Sequence, residues 1–493
     1  MSHAAGISSV SELQLRPAPK SVRWEDLLAR LPAPRKIPGA RNLIGLALAE
    51  RNTRLLVVDD DPTGSQAVRD IAVLARWEDE DLRHALDPGA TCVTFLLTNT
   101  RALDETEARR INAQIGARSA RIAAELGADV RFISRGDSTL RGHFPAETDA
   151  LIEGWEKEGG SAVDGIVLCP AFLEAGRVTV GDVHWVRQGE LAVPAAETEF
   201  GRDATFGYTA SRLQDWLAEQ DARRAASAVS ISIRDLRVGG PGCVAELLGA
   251  VGRGKIVVAN AVDEADLDVL VLGLLAAERR GKRFVYRTAP SFVAARCGQV
   301  TGGTLRAHDI YAARREGHGL IVVGSHSQQT TRQLSIAIDR FALTEIELDV
   351  DVLVSAGRDR EIARAGALVE QLLRDQPVVV STSRNVRTEA TPAASLELSR
   401  RVSGALVEVV RGLDEGLPIK FLIAKGGITS SDIVTRALGV RRATVLGQVF
   451  PGQVSVWRLD QRDGLPYVVF PGNVGSDEAL ADTLAILLED EAT

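Results

Sequence analysis

The stretch LLVVDDDPTGSQAV, residues 55–68, places three aspartates directly after a run of apolar residues and continues into Pro-Thr-Gly. The apolar, β-branched run predicts a buried strand, and the polar residues after it predict a turn at the strand's end. Three adjacent carboxylates in such a turn could bind a metal, attack a phosphate, deprotonate a hydroxyl or cap a turn. Other loops of the same kind along the chain help to choose among these roles.

Apolar strands alternate with amphipathic helices through most of the chain. Between two predicted strands lies DETEARRINAQIGARSARIAAELG, whose isoleucines share one helical face and whose end is marked by Gly127. This alternation predicts an α/β fold with mainly parallel sheets flanked by helices. RATVLGQVFPG, QVSVWRLD and LPYVVFPGNVG are spaced less regularly and predict an antiparallel edge. The predicted parallel strands lie in TRLLVVDD, ATCVTFLLTNT, DVRFISRGD, DGIVLCPAF, GLIVVGSHSQQT, QPVVVSTSRN and IKFLIAKGGITSSD.

The chain length of 493 residues predicts two domains, because it exceeds what one hydrophobic core usually supports. We expect an N-terminal arm at residues 1–45, one α/β domain at 46–310 and a second at 311–493, with the active-site cleft between the two domains. The boundary falls in the polar segment LRAHDIYAARREGHG. The arm is rich in Pro, Ser and Ala, and we expect one short helix in it at WEDLLARL.

Composition and charge narrow the class of protein. The net charge of −8, without a dense Lys/Arg tract, argues against a nucleic-acid partner. The four cysteines are far apart and form no CxxC pair, which fits a reduced cytoplasmic protein better than a disulfide scaffold or a zinc site. No apolar run reaches the roughly 18 residues of a membrane span, and the first residues do not resemble a signal peptide. We therefore expect a cytoplasmic protein with no membrane partner.

The loop SRGDSTLRGH, residues 134–143, carries a second set of chemical groups. Arg135 and Arg141 flank Asp137, with Ser138 and Thr139 between them. Arginine binds carboxylates bidentately, while Asp, Ser and Thr bind hydroxyls, so this loop suits a small acidic polyol. The alternative is a loop held together by its own Arg–Asp pairs. Either way the loop follows a strand, at the edge where doubly wound α/β folds bind their ligands.

The DDDPTGS loop allows two chemistries besides a simple turn. Asp59, Asp61 and Thr63 fit the D-x-D-x-T pattern of haloacid-dehalogenase-type phosphatases, in which Asp59 would be the nucleophile. That mechanism needs a later acidic pair for magnesium, and the best acidic loop carries Arg141 where the second acid should be. In the other chemistry Asp60 or Asp61 is a general base for a substrate hydroxyl. The strand would then end at Asp59.

Three loops of the second half are candidates for phosphate binding. In GSHSQQTTRQL, KGGITSSDIV and FPGNVGSDEAL, Gly and Ser/Thr precede a helical stretch. A helix N-terminus offers free N–H groups and a favourable dipole to phosphate, although simple N-capping explains each loop as well. GAVGRGKI, residues 249–256, is not a P-loop, because Ile256 replaces Ser/Thr and a strand follows. The histidines, including His143, His184, His318 and His326, show no metal-ligand spacing and are expected to be structural or solvated.

Taken in order, seven motifs resemble those of the four-carbon acid sugar kinase family, ATP-dependent kinases of threonate, erythronate and oxo-tetronates. The resemblance extends from about residue 55 to the C-terminus. It implies that the N-terminal domain binds the sugar acid, that the C-terminal domain binds ATP with Mg²⁺, and that a terminal hydroxyl is phosphorylated. Pro62, Arg135 and His143 depart from the residues usual in the family. The motifs are DDDPTG, SRGDSTLRG, PAFLEAGRVTVGDVHWV, ETEFGRD, VVGSHSQQT, KGGITSSD and FPGNVG.

The resemblance also implies a set of site residues. Asp61 and Asp137 are the candidates for catalysis, and metal ligands stay unassigned. The expected partners are the sugar acid and ATP, and a homodimer is compatible with them. The alternatives are a phosphatase that uses Asp59 and a non-catalytic sugar-acid-binding protein. The substrate-binding candidates are Asp60, Thr63, Arg135, Ser138 and Arg141, and the nucleotide-binding candidates are Ser325, Lys425, Gly426, Gly427, Thr429, Gly452, Asn473 and Gly475.

Overall fold

The computed structural model describes residues 18–61, 64, 67–300, 303–311, 313–383, 392–450 and 453–489, with the backbone alone at 392–400. Thr63 and Gly452, both predicted site residues, lie outside this part of the chain. Within the described ranges, no helix is long and apolar enough to cross a membrane.

The strands of the described chain are β1 (Val22–Arg23), β2 (Thr53–Asp59), β3 (Ile71–Leu74), β4 (Val93–Leu97), β5 (Asp129–Arg135), β6 (Gly165–Cys169), β7 (Arg177–Val180), β8 (Val183–Gln188), β9 (Leu191–Pro194), β10 (Val229–Ile231), β11 (Lys255–Ala259), β12 (Phe284–Thr288), β13 (His318–Val323), β14 (Thr344–Leu348), β15 (Val378–Thr382), β16 (Ile419–Lys425), β17 (Arg442–Phe450), β18 (Val454–Leu459) and β19 (Leu465–Phe470). The α-helices are α1 (Trp24–Ala29), α2 (Ala40–Glu50), α3 (Asp79–Leu86), α4 (Glu105–Leu126), α5 (Ala146–Lys157), α6 (Leu213–Gln220), α7 (Ala222–Ala226), α8 (Gly240–Gly249), α9 (Glu264–Arg279), α10 (Pro290–Arg296), α11 (Ala307–Ile310), α12 (Gln328–Phe341), α13 (Val350–Leu353), α14 (Arg358–Leu372), α15 (Pro392–Gly412), α16 (Gly427–Asp432) and α17 (Ala479–Leu488).

Two arrays of parallel strands form the framework. The first has the order β10-β11-β6-β12-β5-β2-β4-β3, and the second has the order β19-β16-β13-β15-β14. The inner strands are buried on both faces: in β2, Leu55 and Val57 pack into one core, and Leu56 and Val58 pack into another. Two buried faces are typical of parallel sheets covered by helices, so the predicted α/β fold is confirmed.

The two arrays are joined into one 15-stranded sheet. β18 pairs antiparallel with both β17 and β19, as predicted, but the three strands are not an outer edge. Because β17 also pairs antiparallel with β3, with Thr444 opposite Ala72, its N–H and C=O groups are used on both sides. The prediction of an edge was therefore wrong. The three antiparallel pairs from β3 to β19 reverse the strand direction, so the second array runs opposite to the first.

A small antiparallel sheet, in the order β1-β9-β8-β7, packs on the first half of the chain. Its first strand comes from the predicted arm, where Val22 pairs with Ala192 of β9. The short helix expected at WEDLLARL is present as α1. Arg41 of α2 is buried and forms an ion pair with Asp268 of α9, so the described part of the arm is fastened to the first domain.

Helices α4 and α5 approach each other closely through two glycines. A Cβ atom at Gly116 of α4 would overlap the Leu151 carbonyl oxygen, and a Cβ atom at Gly154 of α5 would overlap the Ala113 carbonyl oxygen. Only glycine permits this backbone separation. The contact fixes α5, whose first turn carries the buried Glu147 toward the carboxyl ends of the first array.

Replacing Gly116 with alanine should lower the free energy of unfolding by about 1–3 kcal/mol, because the added methyl group forces two helices apart. Urea denaturation followed by circular dichroism measures the change. The matched control is Gly366→Ala in α14, since no atom lies within 4 Å of a Cβ atom there. That control should be neutral or slightly stabilising. Equal effects of the two substitutions would contradict the close approach of α4 and α5.

Candidate active site

The first half of the site is built on the paired ends of β2 and β5. Asp59 and Arg135 are the last residues of these strands and lie directly opposite each other in the ladder. Arg135 Nη1 is 3.3 Å from Asp59 Oδ1, and both side chains are buried. Asp59 therefore ends the strand, as the sequence suggested, and its carboxylate faces an arginine rather than an open cleft.

The Asp59 carboxylate is enclosed by the backbone that follows it. A Cβ atom at Gly64 would overlap this carboxylate, so the backbone of Gly64 lies directly against it. Burial raises the pKa of Asp59 to about 7, although Arg135 opposes the shift. A phosphatase nucleophile must be ionised and open to its substrate. The arrangement around Asp59 therefore argues against the phosphatase alternative.

Arg101 links the carboxylates of two loops and was missing from the predicted set. It lies in the loop after β4, and its Nη1 donates to Asp61 Oδ2 at 2.9 Å. Its Nη2 donates to Asp60 Oδ1 at 2.5 Å, and its Nη1 lies 3.9 Å from Asp137 Oδ1. Burial would lower the pKa of Arg101, but Asp60 and Asp61 hold it well above its ordinary value. The sequence signal was the loop TNTR, which is polar directly after a strand.

Asp137 is held by several donors at once. Arg141 Nε donates to its Oδ2 at 2.8 Å, and the Thr139 hydroxyl and backbone N–H donate to the same oxygen. Burial alone would raise the pKa of Asp137, but Arg101 and Arg141 hold it well below its usual range. The internal Arg–Asp pairing that was considered as an alternative to substrate binding is therefore present in this loop. The same pairing presents the charged groups of the loop in a fixed arrangement.

Arg287 and Glu147 form a buried ion pair next to Asp60. Arg287 Nη1 donates to Glu147 Oε2 at 3.1 Å and to Ser134 Oγ at 3.0 Å. Arg287 Nη2 lies 3.8 Å from Asp60 Oδ2. Burial raises the pKa of Glu147, although Arg287 opposes the shift. Sequence reasoning missed both residues, because Arg287 lies inside the apolar strand FVYRT and Glu147 inside a helix.

Two further residues missed by the sequence reading, Arg177 and Phe200, lie beside the DSTLRG loop. Arg177 Nη1 donates to Ser138 Oγ at 2.5 Å. The ring of Phe200 contacts two guanidinium groups, with centroid distances of 5.0 Å to Arg141 and 5.1 Å to Arg177. Both residues belong to motifs that carried the family resemblance, but neither had been given a role.

The histidine near this loop is structural. His184 is buried, and its Nε2 lies 2.7 Å from the carbonyl oxygen of Ser138. Its Nδ1 lies 3.0 Å from Thr179 Oγ1. Burial lowers the pKa of His184 to about 4, so the ring is neutral at physiological pH. The expectation that His184 is structural is confirmed.

The second half of the site is formed by the loops after β13, β16 and β19, which are neighbouring strands. Ser327 and Thr330, at the start of α12, each donate a hydroxyl hydrogen bond to the Gly472 carbonyl oxygen, at 2.6 and 2.7 Å. Gln329 Nε2 donates to the Gly475 carbonyl oxygen at 3.1 Å. The GSHSQQT and PGNVG loops are therefore bonded to each other, and Ser327 is the N-cap of α12.

The KGG loop lies against both of them. Gly426 N–H donates to the Phe470 carbonyl oxygen, and Ser325 N–H donates to the Lys425 carbonyl oxygen. Gly426 has a φ of +126°, and a Cβ atom there would lie 3.0 Å from Thr429 Oγ1. Gly427 begins α16, whose N-terminus has no side-chain cap. The N-terminus of α16 is therefore a candidate anion-binding position.

Lys425 has a different position from the one expected of a phosphate ligand. Its side chain is buried, and its Nζ donates to the Pro471 carbonyl oxygen at 3.2 Å and lies 3.8 Å from the Phe470 ring centroid. Burial lowers the pKa of Lys425 to about 7. The lysine thus ties the KGG loop to the PGNVG loop. Asn473 is exposed on the latter loop.

The predicted residues thus form two groups on two sets of strands. Among the described residues, no group of three or more His, Cys, Asp or Glu side chains is arranged to hold a metal. The cleft between the two groups remains a prediction. The first group contains Asp60, Asp61, Arg135, Asp137, Ser138 and Arg141. The second contains Ser325, Lys425, Gly426, Gly427, Thr429, Asn473 and Gly475.

Comparison with known proteins finds two family matches, in different parts of the chain. Residues 55–296 match the family described as the sugar-binding N-terminal domain, and residues 320–480 match the nucleotide-binding C-terminal domain. A D-threonate kinase of Salmonella typhimurium is 26% identical over 366 residues, covering 72% of this chain and 79% of that protein. A D-erythronate kinase of Heliobacterium modesticaldum is 26% identical over 377 residues, covering 74% and 78%.

Solved structures share the fold. The crystal structure of Haemophilus influenzae protein HI1011 has a TM-score of 0.60 at 18% identity, covering 88% of this chain and 100% of that one. A Salmonella typhimurium LT2 protein, provisionally named a tRNA synthase, has a TM-score of 0.63 at 17% identity and covers 88% and 98%. At such identities the likeness concerns the fold alone. The two domain matches together span most of the chain, which therefore belongs to the four-carbon acid sugar kinase family.

Proposed function

We propose that this protein is an ATP-dependent kinase that phosphorylates a terminal hydroxyl of a four-carbon sugar acid, with threonate and erythronate as the first candidates. The observation that carries the proposal is Arg101, which brings Asp61 of one loop and Asp137 of another to a single guanidinium group. Kinases need a base for the hydroxyl and cations for the transferred charge in one place. The kinase names of the two relatives support the same reaction class.

Asp61 is the better candidate for the base. Its side chain is 23% exposed, whereas that of Asp137 is 8% exposed. Asp137 already accepts hydrogen bonds from Arg141 and Thr139, so it has less capacity to accept a substrate proton. We assign Asp137 to the orientation of Arg101 and Arg141. Asp60 is almost fully buried and provides a further carboxylate that pairs with Arg101.

The nucleotide would bind to the loops after β13, β16 and β19. Gly426 and Gly427 let the backbone approach the phosphates, and the N–H groups at the start of α16 donate to phosphate oxygens. Mg²⁺ would be held mainly by the phosphates with one or two carboxylates, as is usual for this ion in kinases. Ser325, Thr429 and Gly475 line the same group of loops.

In the reaction, the substrate hydroxyl oxygen forms a bond to the γ-phosphorus while the bond from that phosphorus to the β,γ-bridging oxygen breaks. The hydroxyl proton goes to Asp61, and ADP leaves with the bridging oxygen. The transferred group resembles metaphosphate, so positioning and charge neutralisation do most of the catalysis. Arg101, which pairs with Asp61, and Arg141, which pairs with Asp137, would neutralise the charge of the transferred group.

The two alternative functions differ from a kinase in their use of ATP and of the site residues. A phosphatase of the haloacid dehalogenase type would act without ATP, and it would need the enclosed Asp59 as its nucleophile. A sugar-acid-binding regulator would be stabilised by the acid yet consume no ATP. A coupled ADP-release screen over four- and five-carbon sugar acids, with Mg²⁺ and ATP, separates these functions and identifies the substrate.

Replacing Asp61 with asparagine should lower kcat roughly 10²- to 10⁴-fold, because an amide cannot take the hydroxyl proton. The KM values for ATP and the sugar acid should change little. The rate of ADP release at saturating substrates measures the effect. Asp70→Asn is the matched control, since Asp70 is an exposed residue whose carboxylate forms an ion pair with the neighbouring Arg69. Wild-type turnover in Asp61→Asn would exclude Asp61 as the base.

Replacing Asp137 with asparagine should also remove turnover, but with a rise in the KM for the sugar acid. The reason is that Arg101 and Arg141 lose the carboxylate that orients them. Steady-state kinetics of any residual activity, together with a thermal melt, separate misorientation from unfolding. A folded variant with a near-wild-type rate would contradict this role.

Replacing Gly426 with alanine should raise the KM for ATP about tenfold or more and leave the KM for the sugar acid within about twofold. The cause is a φ of +126°, which an L side chain rarely adopts, beside the Thr429 hydroxyl. Gly412→Ala serves as control, because nothing lies within 4 Å of its Cβ position. An unchanged KM for ATP would show that this loop does not bind the nucleotide.

A further inference from the structure

Five arginines surround the first half of the site, and four of them are neutralised by carboxylates. Arg101 pairs with Asp60 and Asp61, Arg135 with Asp59, Arg141 with Asp137 and Asp203, and Arg287 with Glu147. Arg177 is the exception: of the residues that the structure describes, no carboxylate comes within 4.0 Å of its guanidinium group.

The Arg177 guanidinium is also short of hydrogen-bond acceptors. Its Nη1 donates to Ser138 Oγ, while its Nε is buried and has no partner within the described chain. Burial lowers the pKa of Arg177, although Asp137 opposes the shift. A buried, unsatisfied donor on a charged group is costly, and an anion that completes its hydrogen bonds would remove that cost.

Aromatic rings fix the plane of this guanidinium. Phe172 lies 5.8 Å and Phe200 lies 5.1 Å from Arg177 Cζ, measured to the ring centroids. Arg141 contacts the same Phe200 ring at 5.0 Å. Guanidinium groups that contact aromatic faces keep their N–H edges available for a planar, bidentate partner.

The position of Arg177 distinguishes it from Arg101. Arg177 begins β7 of the small antiparallel sheet, and its backbone pairs with Phe172 after β6. Arg101 follows β4 and contacts Asp61. Between the two arginines lies the DSTLRG loop, in which Asp137 faces Arg101 and Ser138 faces Arg177. A short polyol acid lying along this loop would have its two ends at different arginines.

We propose that Arg177 binds the carboxylate of the sugar acid, across the Phe200 ring from Arg141, and thereby selects acids over neutral polyols. This inference rests on the proposed kinase function. Arg177 holds the end of the substrate remote from the reacting hydroxyl, which lies toward Asp61 and Arg101. Arg177 is therefore a specificity-determining residue and takes no part in proton transfer.

The test compares acids with their neutral counterparts. The kcat/KM for threonate and erythronate and for the tetritols threitol and erythritol is measured in the wild type and in Arg177→Gln. Loss of a charge-assisted bidentate contact should lower kcat/KM for the acids about 10- to 100-fold and leave the tetritols nearly unaffected. The preference for acid over tetritol should shrink by the same factor, and the KM for ATP should stay constant.

Two further variants distinguish the loss of carboxylate binding from a purely structural effect of the substitution. Arg177→Lys keeps the charge without the bidentate fork, so it should fall between wild type and Arg177→Gln. Arg202→Gln is the matched control, because Arg202 is exposed on the Phe200 loop, where its Nη1 donates to the Glu197 carbonyl oxygen. This control should retain the wild-type acid preference. Thermal melts of all variants report whether they fold.

The outcomes are distinguishable from failure of the kinase assignment. If the wild type phosphorylates neither acid, the choice of these acids fails, and calorimetric binding of threonate and erythronate to wild type and Arg177→Gln still tests the carboxylate site. If the wild type is active and Arg177→Gln slows acids and tetritols equally, Arg177 is structural and the inference is overturned. An unchanged acid preference in a folded Arg177→Gln enzyme overturns it as well.

Discussion

Buried charge compensation between carboxylates and arginines holds the first half of the site in shape. Asp59, Asp60 and Asp137 are each largely removed from water, and each faces at least one guanidinium group. A single unpaired charge in such a place costs several kcal/mol, so every member of the network depends on the others. The loops after β2, β4 and β5 are therefore positioned by one another. At Asp59 burial outweighs the effect of Arg135, and it raises the pKa of Asp59 to about 7.

The second half of the site is held by a different kind of contact. Hydroxyls and amides of α12 donate to backbone carbonyl oxygens of the PGNVG loop, as when Gln333 Nε2 binds the Ser476 carbonyl oxygen at 2.6 Å. Buried Lys425 does the same from the neighbouring loop. Such bonds orient the backbone of the loop that we propose to bind the nucleotide. One half of the site is thus held mainly by buried ion pairs, and the other mainly by hydrogen bonds to backbone carbonyl oxygens.

Local sequence patterns predicted the parts of the fold that depend on local chemistry. The apolar strands with polar loops, the helix that ends at Gly127 and the aspartate that ends β2 were all recognisable, because one segment carries each signal. The pairing of β3 with β17 was not predictable, since each strand has only the ordinary pattern of a strand. Arg287 was hidden in an apolar strand, and Arg177 acquires its significance only when a separate small sheet brings it to Ser138. Partners that are distant in sequence leave no local trace.

Because the two parallel arrays run in opposite directions, the twist of the sheet determines how the two groups of loops are oriented to each other. In a flat sheet, the carboxyl ends of β2 and β16 would point in opposite directions. Six strand-to-strand steps separate them, and a twist of roughly 20–25° per step accumulates to about 120–150°, which undoes most of the reversal. The relative orientation of the two loop groups is therefore set by the twist of the strands between them. Substitutions in β17 or β18 that flatten this region would turn the two loop groups away from each other while every residue of both groups stays unchanged.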